Sequence, residues 1–140
     1  MKKVFSLFIL LTLCCTACLE EQVPAKYFAG TIWGAFETGG VYDGDNKLIS
    51  VYINAHILTL NETSFTHVIY RKEADTGSVG YADKDTTYTE GAYTIRYPNI
   101  TLNYGKMERT GTVEWGTLNL NIDGGERVLQ FVKNTTAGAQ

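Results

Sequence analysis

Two histidines, His56 and His67, are the side chains best suited to do chemistry, and the sequence contains no others. A two-residue turn at Glu62-Thr63 would set Leu58 opposite His67 and His56 opposite Ile69. Both rings would then share one face as diagonal neighbours, about 7–8 Å apart between backbones. This arrangement predicts that the two histidines form a polar floor inside a barrel, where they would orient the head group of a ligand. A register shifted by one residue would instead turn both histidines outward.

The same register extends the polar patch toward one end of the hairpin. Asn54 would lie opposite Arg71, and Tyr52 would follow on the same face. We predict that Tyr52, Asn54 and Arg71 join the two histidines as ligand-binding residues. A metal site would need a third and a fourth ligand. The sequence offers neither, so no metal and no other cofactor is expected.

Other chemistries find little support in the sequence. Gly77-Ser78-Val79-Gly80 is not a nucleophile elbow, because Thr76 stands where a glycine is needed. The carboxylates are scattered, and no glycine-rich phosphate loop precedes a helix. We therefore predict a protein that is not an enzyme. The formal net charge of −3 and the lack of a basic stripe argue against nucleic acid as a partner.

The stretch 90–133 alternates apolar and polar residues with a period of two, which is typical of antiparallel strands with one wet face. A loop at Pro98-Asn99 predicts three facing pairs, and a loop centred on Gly124-Gly125 predicts two more. The pairs are Tyr97 with Ile100, Ile95 with Leu102, Tyr93 with Tyr104, Leu120 with Leu129, and Leu118 with Phe131.

Eight strands and no helix are predicted between residues 27 and 133. Their approximate ranges are 27–37, 47–60, 65–71, 86–97, 99–104, 108–115, 116–122 and 126–133. Two long loops, 38–46 and 72–85, interrupt the first half. Short turns elsewhere favour a single antiparallel eight-stranded up-and-down barrel, because closure removes the exposed edges of a meander. An open β-sandwich is the alternative fold.

The chain begins with the pattern of an export signal. Met1-Lys2-Lys3 precedes the apolar run Val4–Leu13, which is too short to span a membrane. All three cysteines fall at the end of this segment, so the rest of the chain has no disulfide. Cys15-Thr16-Ala17-Cys18 resembles the lipobox of bacterial lipoproteins, with Cys15 where the family usually has leucine. The resemblance implies a signal peptide over 1–17 and lipid attachment at Cys18, which anchors the protein to the outer membrane.

The lipoprotein resemblance also implies an address and a domain plan. Glu20-Glu21 resembles the acidic export tag of surface lipoproteins from the Bacteroidetes, so the domain would face the cell surface. A periplasmic position with 18–26 as a plain acidic tether is the alternative. The barrel domain would span 27–133, and 134–140 would form a flexible tail.

The predicted barrel itself resembles the lipocalin-like domains of small bacterial lipoproteins. Gly30-Thr31-Ile32-Trp33 looks like their Gly-x-Trp opening, with the tryptophan one residue later than usual. Leu58–Phe65, Gly91–Ile95 and Leu118–Lys133 resemble later strands. The resemblance implies a barrel that binds a small apolar or amphipathic molecule. The alternative is a solid barrel whose loops 38–46 and 72–85 contact another surface protein.

One modification site is also predicted. Asp85-Thr86-Thr87 resembles the Asp-Ser/Thr-x sequon that Bacteroidetes use for O-glycosylation of exported proteins. The resemblance implies a glycan on Thr86.

Overall fold

A computed structural model describes residues 25–135 of the chain. The predicted signal peptide, the predicted lipid attachment at Cys18 and most of the predicted tail lie outside the described residues. A 3₁₀ turn at Ala25–Tyr27 precedes eight strands, and a second one, Asp123–Gly125, joins the last two strands. The strands are β1 (Thr31–Tyr42), β2 (Leu48–Leu60), β3 (Ser64–Asp75), β4 (Ala82–Arg96), β5 (Asn99–Asn103), β6 (Glu108–Val113), β7 (Thr117–Ile122) and β8 (Arg127–Lys133).

The strands form one closed antiparallel barrel in the order β1 to β8. Each strand pairs with its sequence neighbour, and β8 returns to β1 through Trp33 with Lys133 and Gly34 with Val132. The up-and-down barrel predicted from the sequence is therefore confirmed, and the open β-sandwich is wrong.

Two of the three predicted hairpin registers are confirmed. Leu58 lies opposite His67 in β2–β3, and Leu120 lies opposite Leu129 in β7–β8. The predicted β4–β5 register is wrong by two residues, because Ile95 lies opposite Ile100. Asn99 pairs with both Arg96 and Thr112, so its backbone belongs to the sheet and not to a loop. A shift of two keeps every side chain on its predicted face, so the inward set is unchanged.

The two predicted long loops are mostly strand. In the range 38–46, residues 38–42 continue β1 along β2. Gly39 allows this, because a Cβ there would lie 2.5 Å from the ring of Tyr52. In the range 72–85, β3 runs to Asp75 and β4 starts at Ala82, and Lys72 pairs with Asp83 at 3.2 Å across the two strands. The sequence pattern did not predict these strands because polar side chains lie on both faces, so the alternation that marks a half-buried strand is missing there.

The strands differ in length, and this divides the barrel into two regions. We call the part where all eight strands surround a core the closed section. Its interior is filled by fully buried side chains, namely Trp33, Leu58, Leu60, Phe65, Ile100, Leu102, Val113, Leu118, Leu120 and Phe131. Trp33 also donates its indole N–H to the Thr31 hydroxyl at 2.8 Å. Eight strands leave an interior that side chains can fill, and here they do so.

We call the second region the extension. It consists of the ends of β1–β4 that continue past the shorter strands β5–β8, over the residues 37–42, 48–54, 71–75 and 82–89. Its inner face carries both polar and apolar side chains, and it is uncovered on the side of β4, where Asp85 and Thr87 are exposed. The place where the extension meets the closed section is the mouth of the barrel.

Candidate functional site at the mouth of the barrel

The two histidines lie side by side at the floor of the mouth. His56 is 5% exposed and His67 is 2% exposed, and 3.1 Å separates His56 Nδ1 from His67 Nε2. The ring of Phe131 stands edge-on to both imidazoles, with centroids 6.1 Å and 5.9 Å away. The prediction that both histidines face inward is confirmed, and the outward alternative is wrong. Phe131 marks the level at which the apolar core gives way to polar groups.

A chain of polar contacts runs through the histidine pair. The Tyr104 hydroxyl lies 2.9 Å from His67 Nδ1. On the other side, His56 Nε2 lies 3.5 Å from Glu37 Oε2, which is an electrostatic contact longer than a hydrogen bond. Asn54 Nδ2 donates to the same Glu37 oxygen at 3.1 Å, and the Arg127 guanidinium lies 2.8 Å from the other oxygen.

The Glu37 carboxylate gives this chain a direction. A hydrogen on His56 Nε2 is attracted by the carboxylate, whereas a lone pair there would be repelled. His56 Nδ1 is then an acceptor, so His67 Nε2–H donates to it, and His67 Nδ1 accepts from the Tyr104 hydroxyl. Both rings therefore carry their proton on Nε2. Every donor in the chain points toward Glu37.

Burial keeps every group in this chain of polar contacts neutral except Glu37. It lowers the pKa of His67 to about 4, and the charges of His56 and Arg109 act in the same direction. Burial also lowers the pKa of His56, although Glu37 opposes this shift. Burial alone would raise the pKa of Glu37, but hydrogen bonds from Asn54 and Arg127 outweigh it, so the pKa lies below its ordinary value.

Tyr104 and Arg109 complete the wall on the far side of the histidines. Burial raises the pKa of Tyr104 to about 12, so its hydroxyl keeps its proton at neutral pH. The Arg109 guanidinium lies over the Tyr104 ring, with its central carbon 5.0 Å from the ring centre. Among residues 25–135, no carboxylate oxygen comes within 4.0 Å of Arg109, whereas Arg71 pairs with Glu73 and Arg127 pairs with both Glu37 and Asp123. The mouth therefore carries a half-buried cation that its own wall does not neutralise.

The predicted ligand-binding residues fall into two clusters. Asn54 joins His56 and His67 at the floor, and its Oδ1 atom is buried without a hydrogen-bond partner. Tyr52 and Arg71 lie further out on the extension, where the guanidinium stacks 4.1 Å from the centre of the ring. The Arg71 side chain also contacts Glu73, at 2.6 Å and 2.7 Å. Arg71 is indeed opposite Asn54, as predicted, but its side chain belongs to the outer cluster.

Sequence reasoning missed four residues of the site, namely Glu37, Tyr104, Arg109 and Arg127. A usable signal existed for Glu37, because period two from the buried Trp33 passes through Ala35 and reaches Glu37. Tyr104 was predicted only as the facing partner of Tyr93 in a hairpin, so its contact with His67 was missed. No local pattern marks Arg109 or Arg127, since their contacts come from strands far apart in sequence.

The remaining findings concern other site types. Thr86 is exposed on β4, and its N–H bonds to Asp85 Oδ1 at 2.8 Å, while its glycosylation stays a prediction. Across the described chain, no three His, Cys, Asp or Glu side chains converge as metal ligands would. The part of the chain described also contains no helix with the length and apolarity to cross a bilayer.

No family model, no curated protein and no solved structure matches this chain.

Proposed function

We propose that this protein is a lipid-anchored barrel of the outer membrane that binds a small amphipathic molecule with an anionic head group. Arg109 carries the proposal. It is a half-buried cation at the mouth with no carboxylate within 4.0 Å among residues 25–135. The two histidines and the tyrosine beside it are neutral, so they do not balance the charge of Arg109. A carboxylate or phosphate would supply the missing partner, because guanidinium groups bind both in a bidentate manner.

The inner face of the extension supplies the surface for the apolar part of the ligand. Val41 and Tyr52 are half-buried there, and Ile69 is half-buried next to the extension, opposite His56. All three lie on the inward side of their strands. The filled closed section leaves no comparable space, since its side chains occupy the axis of the barrel. The ligand would therefore lie in the mouth and along the extension, not deep inside as in a hollow carrier.

The location of residues 28–30 is compatible with a lipid anchor on Cys18. Phe28 is buried, and the Gly30 N–H donates to the Leu60 carbonyl at 2.7 Å, which fixes the first described residues at the end opposite the mouth. A lipid on Cys18 would thus present the mouth away from the membrane. The resemblance of residues 15–18 to a lipobox and of the barrel to lipocalin-like lipoproteins favours the same arrangement.

Native mass spectrometry of the protein isolated from its own membranes in mild detergent tests the ligand. We expect an added mass, separate from the lipid on Cys18, that is lost on denaturation. Arg109→Gln should lose this mass, whereas Arg96→Gln, an exposed arginine on the outer face, should keep it. A wild-type protein without added mass, or an Arg109→Gln variant that retains it, would contradict the proposed site.

Cell fractionation tests the anchor independently. Cys18→Ser should move the protein from the membrane fraction to the soluble fraction, because stable attachment needs the acyl chains. A variant that stays with the membrane would show that residue 18 is not the anchor.

A solid barrel that contacts another surface protein is the second candidate function. The filled closed section favours it. The predicted contact loops are mostly strand, so such a partner would meet strand ends and the short connections 43–47 and 76–81 instead. Absence of an added mass in the wild-type protein would favour this candidate.

A further inference from the structure

One side of β4 has no neighbouring strand over most of its length. Within the described residues, Ala82–Gly91 pairs with β3 alone, in the stretch from Phe65 to Glu73, and β5 joins β4 only at Ala92–Arg96. The reason is the turn at residues 104–107, which sends the chain into β6 before it can continue along β4. Backbone N–H and C=O groups at such an edge form a template for another strand.

The usual protection of an edge strand covers only the first part of this edge. Lys84 is an extra residue at a bulge, because Arg71 pairs with Asp85 and Lys72 pairs with Asp83. Bulges and charges of this kind discourage edge-to-edge pairing. Beyond Asp85, the four residues Thr86–Thr89 contain no charge, proline or bulge, and threonine and tyrosine favour strands.

Exposed aromatic side chains flank the unprotected part of the edge. Tyr88 is 61% exposed and Tyr70 is 44% exposed, and both lie on the outer face of the sheet near the edge. Tyr81, just before β4, is 47% exposed. A strand added beside β4 would cover part of this apolar area in addition to pairing the backbone groups.

We propose that a second copy of this chain occupies the edge, with β4 antiparallel to β4 of the other copy. A two-fold axis at Thr87 sets Thr86 opposite Tyr88, so the uncharged segment pairs with itself. The same axis sets Lys84 opposite Glu90, because each lies three residues from Thr87. Every contact away from the axis occurs twice under this symmetry, and no like charges meet. Residues 84–90 are thus complementary to the same residues of the second copy, and the two extensions join into one continuous sheet.

The test combines the oligomeric state with hydrogen exchange on the full chain in mild detergent. Wild type should form a dimer in which the amides of residues 86–90 that point away from β3 exchange slowly. Thr87→Lys should be monomeric, with an unchanged far-UV circular dichroism spectrum and fast exchange at these amides, because an inserted lysine blocks edge pairing. Thr94→Lys is the matched control, since Thr94 is an exposed threonine on the part of β4 that β5 covers. It should remain dimeric.

Tyr88→Lys provides a second disruption on the outer face and should also yield a monomer. Wild type that stays monomeric at every concentration would overturn the proposal, as would Thr87→Lys and Tyr88→Lys variants that remain folded and dimeric. A monomer whose residues 86–90 are protected by a co-purified peptide would assign the edge to a foreign strand and would likewise overturn it.

Discussion

Strands β1–β4 run through both the closed section and the extension, yet their inward-facing side chains differ between the two regions. In the closed section, side chains such as Leu58 and Phe65 face inward and meet β5–β8. In the extension, the inward positions of the same strands hold Asn54, Arg71 and Glu73, and no opposite wall covers them. Stability is therefore concentrated at one end. The other end carries the half-buried charges and the open edge that a stability requirement alone does not explain.

The largest expected effect distinguishes the two regions by core packing. Leu120→Ala should lower the free energy of unfolding by about 2 to 5 kcal/mol, because a fully buried leucine leaves a cavity that the barrel cannot fill. Ile49→Ala, a partly exposed position in the extension, should change it by less than about 1 kcal/mol. Urea denaturation measures both, and equal losses would remove the distinction between the regions.

The pH dependence of stability should come next and should arise at the floor of the mouth. The pKa of His67 is about 4 in the folded protein and 6.5 when unfolded, so the unfolded state binds the proton more tightly. Stability should therefore be unaffected above pH 6.5 and fall between pH 6.5 and 4, by up to about 1.4 kcal/mol per pH unit. Urea denaturation at pH 7 and pH 5 measures the difference, and His67→Gln should reduce it. A variant with the undiminished difference would assign the effect to other groups.

Removal of the Glu37 charge should have a moderate effect. Glu37→Gln takes the carboxylate away from Arg127 and Asn54, and we expect a loss of about 1 to 3 kcal/mol. It should also lower the pKa of His56 further, because Glu37 favours the protonated ring. Denaturation and an NMR titration measure these changes, with the exposed Glu126→Gln as the control. An unchanged pKa of His56 would mean that the contact is not electrostatic.

The smallest effect is expected for the outer cluster of the extension. Arg71→Gln breaks the contacts with Glu73 and Tyr52, but the Arg71 side chain is 31% exposed to solvent. We expect less than about 1 kcal/mol, since water and salt screen such pairs. The same denaturation experiment measures it. A loss as large as that of Glu37→Gln would mean that the two clusters are equally buried.

The sequence predicted the closed section far better than the extension. Alternation around His56, Leu58 and Leu60 defined a register that the structure confirms, because one face is buried and a slip would expose it. The extension lacks that contrast, so Thr38–Tyr42 and Lys72–Asp75 were mistaken for loops. The histidine pair could be predicted because both residues lie on one hairpin. Arg109 and Tyr104 could not be placed beside it, since only closure of the barrel brings β5 and β6 to β2 and β3.

Nitrogen-15 NMR of the two imidazoles tests the directed polar chain most directly. Spectra of the side-chain nitrogens at pH 7 distinguish a charged ring from each neutral tautomer. We predict that His56 and His67 are both neutral and both protonated on Nε2, because Glu37 orients the whole chain. A charged ring at either position, or a proton on Nδ1 of either histidine, would contradict the account of the mouth.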